Sequence, residues 1–178
     1  MQWQDRRLLD LFGIDHPILQ APMAGVTSPQ MAIATSEAGA LGSIAGAMLS
    51  LDGLRQEFQM VKQGTSRAFN VNFFVHRPPA ADAARDAAWR RKLAGYYSEL
   101  GVAADAKGPS RAAFDAATCE LVLEFKPRVA SFHFGLPDKT LMQRLKGAGI
   151  LVIASATTVE EARWLEGEGV DAVIAQGA

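Results

Sequence analysis

The stretch Ile150-Leu-Val-Ile-Ala-Ser-Ala-Thr-Thr-Val-Glu-Glu-Ala-Arg-Trp-Leu-Glu-Gly-Glu-Gly-Val-Asp-Ala-Val-Ile-Ala175 holds two apolar runs with a helical pattern between them. The runs Ile150–Ala154 and Asp171–Ala175 are short and rich in β-branched residues, as expected of strands covered on both faces. Between them, Thr158-Val-Glu-Glu161 matches a capping box that begins a helix, and Gly167 can end it. A strand, a helix and a second strand in this order predict a right-handed parallel unit.

Four similar runs lie upstream, and each is followed by a helical pattern. They are Pro17–Gln20, Leu41–Ile44, Ala68–Phe74 and Arg128–Phe132. Ser28 with Pro29, and Ser50, provide N-caps for two of the helices between them. Six strands that alternate with helices predict an α/β chain with a parallel sheet.

One connection, from His76 to Phe125, is unusually long. Two helical patterns occupy it, Ala80–Leu100 and Arg111–Phe125, so a helical insertion is predicted at about 77–125. It follows the third strand and therefore lies at the carboxyl ends of the strands, where α/β proteins bind ligands. A lid over a site and a plain packing insertion are both consistent with this position.

Composition limits the classes of function. A chain of 178 residues, 49% of them apolar, fits a single globular domain. The net charge of −1 gives no electrostatic reason to bind nucleic acid or an anionic membrane, so a small-molecule partner is expected. The single cysteine, Cys119, lies in an apolar run and is interpreted as a buried structural thiol. With no signal peptide or membrane-spanning stretch, a cytoplasmic location is expected.

Candidate ligand-contacting residues occur directly after the first predicted strand and within the third. Ala21-Pro22-Met23 comes directly after the first strand, where either a rigid loop with a core methionine or a ligand contact would fit. Asn70 and Asn72 are two apart and face the same side of the third strand. An amide on an apolar strand needs a partner, which favours a ligand hydrogen bond to Asn72.

His133 stands where the fourth strand should end, between two phenylalanines and before a glycine. This position at the ligand-binding face predicts a functional histidine, whereas His16 and His76 are interpreted as structural. Gln176 and Gly177 end the last strand at the same rim. The chain lacks the dinucleotide-binding glycine pattern, a phosphate-binding loop and a nucleophile elbow.

Four segments together resemble one family. They are Gln20-Ala-Pro-Met23, Asn70-Val-Asn-Phe-Phe74, Ser131-Phe-His-Phe-Gly-Leu-Pro137 and Ala175-Gln-Gly177. In this order they are similar to the FMN-dependent nitronate monooxygenases, formerly called 2-nitropropane dioxygenases. The resemblance covers essentially the whole chain, and the segment around His133 is its most specific part.

The resemblance implies a (β/α)₈ barrel that holds FMN at the carboxyl ends of its strands and needs no metal. It implies oxidation of alkyl nitronates, such as propionate 3-nitronate, by O₂ to a carbonyl compound and nitrite. His133 would face the reacting carbon, as a general base toward a neutral nitroalkane or as an electrostatic partner of a nitronate. The residues implied to contact the flavin are Ala21, Pro22, Met23, Asn72, Gln176 and Gly177.

In the family, a Gln-Gly segment is followed by a glycine- and histidine-containing loop and two more strands that hold the FMN phosphate. The sequence ends at Ala178, so a barrel truncated after about six strands is expected, with weak FMN binding by this chain alone. Sheet edges left open in this way would permit self-association.

Two other functions fit the sequence. One is a related FMN barrel that reduces quinones or enoyl thioesters with NAD(P)H. The other is a non-enzymatic, six-stranded, doubly wound α/β domain that binds a ligand or partner. An open sheet, however, would leave the candidate residues spread along its edge, whereas a barrel brings them to one centre.

Overall fold

The computed structural model describes residues 3–77, 80–106 and 112–177. The chain divides into two compact units, one comprising Met1–His76 and Arg111–Ala178 and the other Arg77–Ser110. The second unit is shorter than the insertion at 77–125 expected from the sequence. The reason is that the last helix of that segment packs into the core of the first unit.

The first unit is built on one parallel sheet. Its strands are β1 (Gly42–Ala45), β2 (Phe69–Phe74), β3 (Val129–His133), β4 (Leu151–Ala156) and β5 (Ala172–Ala175). They lie side by side in chain order, each parallel to the next. A doubly wound sheet reverses its strand order at a switch point, and these strands show no reversal. Their winding is that of a (β/α)₈ barrel.

The segment predicted as the first strand forms only one bridge of the sheet. Within Pro17–Gln20, Leu19 pairs in parallel with Leu41, just before β1. Two backbone hydrogen bonds of 2.9 Å flank this bridge, one donated and one accepted by Leu41. Pro17 and Pro22 bound the segment and have no N–H to donate, which keeps the ladder short. The six strands predicted from the sequence are therefore five strands and a bridge.

Helices follow the strands as predicted, and their caps come from the sequence. Within the described residues the helices are α1 (Arg7–Phe12), α2 (Pro29–Glu37), α3 (Leu51–Gly64), α4 (Ala83–Glu99), α5 (Ala116–Phe125), α6 (Lys139–Gly147) and α7 (Val159–Gly167). The predicted N-caps Ser28, Ser50 and Thr158 each accept a backbone N–H from the first turn of their helix. A short 3₁₀ helix, Gly46–Met48, follows β1.

Side chains alternate between the two faces of the sheet. Apolar residues on one face pack against the helices in the main core, and they include Ile44, Val71, Phe73, Ala130, Phe132, Val152 and Ala154. We call the opposite face the inner face. It carries the polar residues Ser43, Asn70, Asn72, Ser131 and Ser155, which alternate with the apolar ones along the strands.

Helix α1 closes the amino-terminal end of the inner face. Leu9 and Phe12 pack there with Leu41, Val129 and Ile153 in a second apolar cluster. None of these five side chains is more than 2% exposed. This packing fills the amino-terminal part of the inner face. The carboxyl-terminal part of that face is left to the polar side chains.

The second unit contains helix α4, in which no residue is buried. Its aromatic side chains Trp89 and Tyr96 are exposed. A lid function for this unit remains a prediction. Over residues 3–77, 80–106 and 112–177, no helix has both the length and the apolar character needed to cross a bilayer.

Candidate active site

A cavity of ≈ 500 Å³ opens on the inner face, at the carboxyl ends of the strands. Residues of β2, β3, β4 and β5 line it together with the segment that follows Leu19. Five of the lining residues were predicted as site residues from the sequence, namely Ala21, Pro22, Asn72, His133 and Gln176. Met23 and Gly177, also predicted, are not among the lining residues, and Met23 is 48% exposed.

The register of the sheet explains why Asn72 and His133 meet at this cavity. Asn72 pairs with Ser131, and Phe74 pairs with His133. Side chains two apart on a strand share a face, so Ser131 and His133 point to the same side as Asn72. Gln176 follows β5 and is held to β4 by a 2.9 Å backbone hydrogen bond.

His133 lies in an aromatic setting. Its ring centroid is 4.0 Å from that of Phe134 and 6.1 Å from that of Phe74. Phe134 adopts φ 70°, a left-handed conformation that residues other than glycine rarely take, and the residue is 61% exposed. The turn at Phe134 therefore places a strained, exposed aromatic residue next to a half-buried histidine at the edge of the cavity.

A polar cluster lies on the inner face, on the amino-terminal side of His133. It is formed by Ser43, Asn70, Asn72 and Ser131. The Asn70 amide donates to the hydroxyls of Ser43, at 3.2 Å, and Ser131, at 3.0 Å. The Asn72 amide donates to the Ser131 hydroxyl at 3.0 Å and to its carbonyl oxygen at 3.3 Å. The Asn70 oxygen is buried without a hydrogen-bond partner among the described residues. Such a group typically costs about 1–3 kcal/mol.

Gln20 joins the predicted first segment to β1 through its side chain. Its amide oxygen accepts from the Ser43 backbone N–H at 3.2 Å, and its amide nitrogen donates to the Ser43 carbonyl at 3.4 Å. The side chain thus replaces the main-chain partner that β1 would have in a longer ladder. It fixes the position of Ala21 and Pro22, which follow it at the cavity wall.

A second cavity, of ≈ 460 Å³, shares His133, Ser155 and Gln176 with the first. Glu161 and Trp164 of α7 contribute to its lining. The backbone N–H and the hydroxyl of Thr157 bind the Glu161 carboxylate and hold its pKa below its ordinary value. Glu161 therefore adds a negative charge near the site. No cluster of His, Cys, Asp or Glu suited to a metal ion occurs in the described part of the chain.

The sequence also contained a signal for residues that were not predicted as site residues. Counting back by two from Asn72 and His133, along β2 and β3, gives Asn70 and Ser131, and both line the cavity. Ser155, on β4, lines it as well. No motif marks Ser155, since a lone serine in an apolar strand is common.

The comparison with known proteins agrees with this geometry. A family model for nitronate monooxygenases matches residues 5–178. The chain belongs to the nitronate monooxygenase family. The predicted family resemblance is thereby confirmed, and all four segments that carried it contribute residues to the cavity lining.

Individual nitronate monooxygenases and related structures match most of the chain. A nitronate monooxygenase of Paraburkholderia phytofirmans is 45% identical over 175 residues, which cover 97% of this chain and 48% of that protein. The nitroalkane oxidase of Streptomyces ansochromogenes is 40% identical with a TM-score of 0.82, over 97% of this chain and 48% of that one. FabK from Thermotoga maritima is 29% identical with a TM-score of 0.69, over 95% and 43%.

The likeness to the nitroalkane oxidase confirms the predicted fold class, an α/β chain wound as a (β/α)₈ barrel. The chain spans about half the length of the curated relatives that it matches.

Proposed function

We propose that this chain provides the flavin-facing wall and the catalytic histidine of an enzyme that oxidises alkyl nitronates with O₂ to a carbonyl compound and nitrite. The observation that carries the proposal is the single cavity shared by Asn72, His133 and Gln176. Membership of the nitronate monooxygenase family and the likeness to a nitroalkane oxidase support it.

FMN is the proposed cofactor, and the described residues fit its ring. Pro22, Phe74 and Ile174 provide apolar cavity wall for a planar heterocycle. Asn70 contributes a buried oxygen that lacks a partner, which a ring N–H would satisfy. Asn72 and Gln176 supply amides at the same cavity. Bound there, FMN would supply the electron transfer and the reaction with O₂.

His133 is the proposed acid–base group. With a neutral nitroalkane, its imidazole would accept the proton of the carbon that bears the nitro group. With a nitronate, which is already ionised, it would donate a hydrogen bond to the developing charge instead. The rings of Phe74 and Phe134 flank it and would limit water at the reacting carbon.

Replacement of His133 by asparagine tests this role, because asparagine keeps a polar side chain but cannot take the proton. We expect nitrite formation from neutral nitroethane to fall by about 10²–10⁴-fold, while oxidation of propionate 3-nitronate falls much less. The assay is run with added FMN on this chain and on any longer product of its coding sequence.

His16→Asn is the matched control for this experiment, since His16 is exposed and does not line the cavity. It should leave both rates unchanged. Equal activity of the His133→Asn variant and the unsubstituted protein on both substrates would rule out a catalytic role for His133.

The second candidate function is an FMN-dependent reductase of quinones or enoyl thioesters that uses NAD(P)H. The likeness to FabK from Thermotoga maritima favours it. The two candidates differ in their electron donor and in their product. NAD(P)H oxidation that depends on a quinone or enoyl thioester, without nitrite release from any nitronate, would establish the reductase in place of the oxidase.

A further inference from the structure

The side-chain amides of two asparagines on β2 bind the hydroxyl of the same serine. Ser131 lies on the neighbouring strand β3, directly opposite Asn72 in the register. Its hydroxyl accepts from Asn70 and from Asn72, both at 3.0 Å. Ser131 is 1% exposed and Asn70 is 4% exposed, so water does not substitute for these contacts. One buried hydroxyl is therefore a shared hydrogen-bond acceptor for both amides.

The Ser131 carbonyl fixes the orientation of Asn72. A carbonyl oxygen only accepts hydrogen bonds, so the group of Asn72 that lies 3.3 Å from it must be the amide nitrogen. The amide nitrogen of Asn72 thus donates to both the Ser131 carbonyl and the Ser131 hydroxyl. What Asn72 has left for the cavity is its amide oxygen, an acceptor.

Asn70 is oriented in the same sense. Its two N–H groups go to the hydroxyls of Ser43 and Ser131, and its oxygen has no partner among the described residues. If the nitrogen and the oxygen of the Asn70 amide exchanged places, two N–H groups would lack a partner. In the orientation present, only one oxygen lacks a partner. The orientation present therefore has the fewer unsatisfied groups, and Asn70 too offers an acceptor.

We propose that the Asn70 oxygen accepts a hydrogen bond from the imide N–H of the bound flavin ring, and that Ser131 is the positioning residue that engages the amide nitrogens of Asn70 and Asn72 and so leaves their oxygens free to accept. This inference rests on the proposed flavin function. Oxidised isoalloxazine carries one N–H, on the imide between two carbonyl groups. A wall of buried acceptors selects for that group and disfavours the carbonyl edges on either side of it.

Lumiflavin and 3-methyllumiflavin test the proposal by fluorescence quenching titration. They have the same ring, and the second lacks the imide N–H. Neither has a phosphate, so ring recognition is measured alone. We expect the unsubstituted protein to bind lumiflavin at least 10-fold more tightly than the methylated ring. In Asn70→Leu this ratio should fall to about 1.

Two further variants separate ring recognition from damage to the fold. Ser36→Ala is the matched control, because Ser36 is a buried serine that binds neither asparagine and does not line the cavity; the ratio should persist. Ser131→Ala removes one hydrogen-bond acceptor from each of the two amides and should lower the ratio, which loss of a purely structural serine would not do. Far-ultraviolet circular dichroism establishes that each variant is folded. If Asn70→Leu does not fold, the ratio of the two lumiflavin affinities measured for Ser131→Ala tests the proposal instead.

The outcomes distinguish this inference from the proposed function. Nitrite formation with FMN, but equal binding of the two lumiflavins, would overturn the inference and leave the function standing. Equal loss of both ligands in Asn70→Leu would overturn the direct contact and assign the Asn70 oxygen to a buried water. If the protein bound neither lumiflavin nor FMN and formed no nitrite, both the inference and the proposed function would be overturned.

Discussion

Gly42 begins β1 directly against helix α2, and its missing side chain sets how closely the helix lies on the sheet. A Cβ atom at this position would overlap the backbone oxygen of Ala32 and lie 2.6 Å from the Ser36 hydroxyl. That hydroxyl accepts from the Gly42 N–H at 3.2 Å and donates to the Ala68 carbonyl at 2.9 Å. A single buried serine thus joins α2 to β1 and to the start of β2, and only glycine leaves room for it.

We therefore expect Gly42→Ala to lower the free energy of unfolding by about 1–3 kcal/mol, the usual cost of overpacking. Gly147→Ala is the matched control. Gly147 ends α6 and a Cβ atom there meets nothing within 4 Å, so its change should be neutral or stabilising by up to about 1 kcal/mol. Urea denaturation, monitored by circular dichroism, measures the change in the free energy of unfolding for both variants. Equal effects of the two substitutions would contradict the close packing of α2 on β1.

Cys119 was predicted to be a buried structural thiol, and its side chain is completely buried in α5. Burial raises the pKa of the Cys119 thiol, so little of it is in the reactive thiolate form near neutral pH. In the folded protein we expect Ellman's reagent to label it orders of magnitude more slowly than in urea. Rapid labelling without urea would show that α5 opens easily from the core.

Helix α5 illustrates what a pattern of apolar residues omits. Its spacing predicted a helix over 111–125, but the helix begins at Ala116. Asp115 is the reason, because its carboxylate accepts from the backbone N–H of Thr118 at 2.8 Å and from the Thr118 hydroxyl at the same distance. Apolar spacing marks the buried face of a helix, whereas a cap decides where the helix starts.

This cap makes the stability of α5 depend on pH. The hydrogen bonds from Thr118 hold the pKa of Asp115 below its ordinary value of 3.8. A carboxylate whose pKa is lowered by folding stabilises the fold above its unfolded pKa and loses that contribution as the pH falls through the folded one. Asp115→Ala should cost about 1 kcal/mol at pH 7, and the difference from the unsubstituted protein should shrink toward pH 3.

Asp115→Asn is the control for that experiment, since asparagine also caps helices but does not titrate. Its stability relative to Asp115→Ala should be the same at pH 7 and pH 3. The measurement is urea denaturation of the three proteins at both pH values. A gap between Asp115→Ala and the unsubstituted protein that stays constant with pH would contradict the role of the carboxylate charge.

The ends of the strands show a second limit of sequence interpretation. Alternating strand and helix patterns located all five strands, β1 to β5, because buried parallel strands are apolar wherever helices cover them. The pattern at Pro17–Gln20 looked the same, yet backbone donors are missing at its borders and only a bridge forms. Met23 was placed by its distance from that strand, and the structure turns it outward. The direction in which a loop turns leaves no periodic pattern in the sequence, so the orientation of Met23 could not be predicted from it.

For the molecule as a whole, the parallel winding brings distant segments to one cavity. A period of two shows that Asn72 shares a face with Asn70, and that His133 shares one with Ser131. It does not show which face is inward, nor that β5 curves back far enough for Gln176 to line the same cavity as Pro22. That convergence comes from sheet twist accumulated over consecutive strands. Thus five of the residues that line the cavity could be predicted from the sequence, but Ser155 and the hydrogen bonds that orient the asparagines could not.

The last strand leaves one edge of this sheet open. β5 pairs with β4, and no strand among the described residues pairs with its other side. Residues 174–176 are exposed. Unpaired N–H and C=O groups on an apolar edge strand favour pairing with a strand of another chain, so we expect this 178-residue chain to self-associate as its concentration rises.

Ala175→Lys tests the edge as the route of association. Ala175 does not line the cavity, and a lysine at an edge discourages strand pairing because its charge would have to be buried in the new contact. Sedimentation velocity from about 1 to 100 μM should show a weight-average mass that rises for the unsubstituted chain and stays near 19.1 kDa for the variant. Ala94→Lys, which adds the same charge on the exposed helix α4, should behave as the unsubstituted chain does. If both variants stay monomeric, net charge rather than the β5 edge governs association, and if neither does, the contact lies elsewhere on the surface.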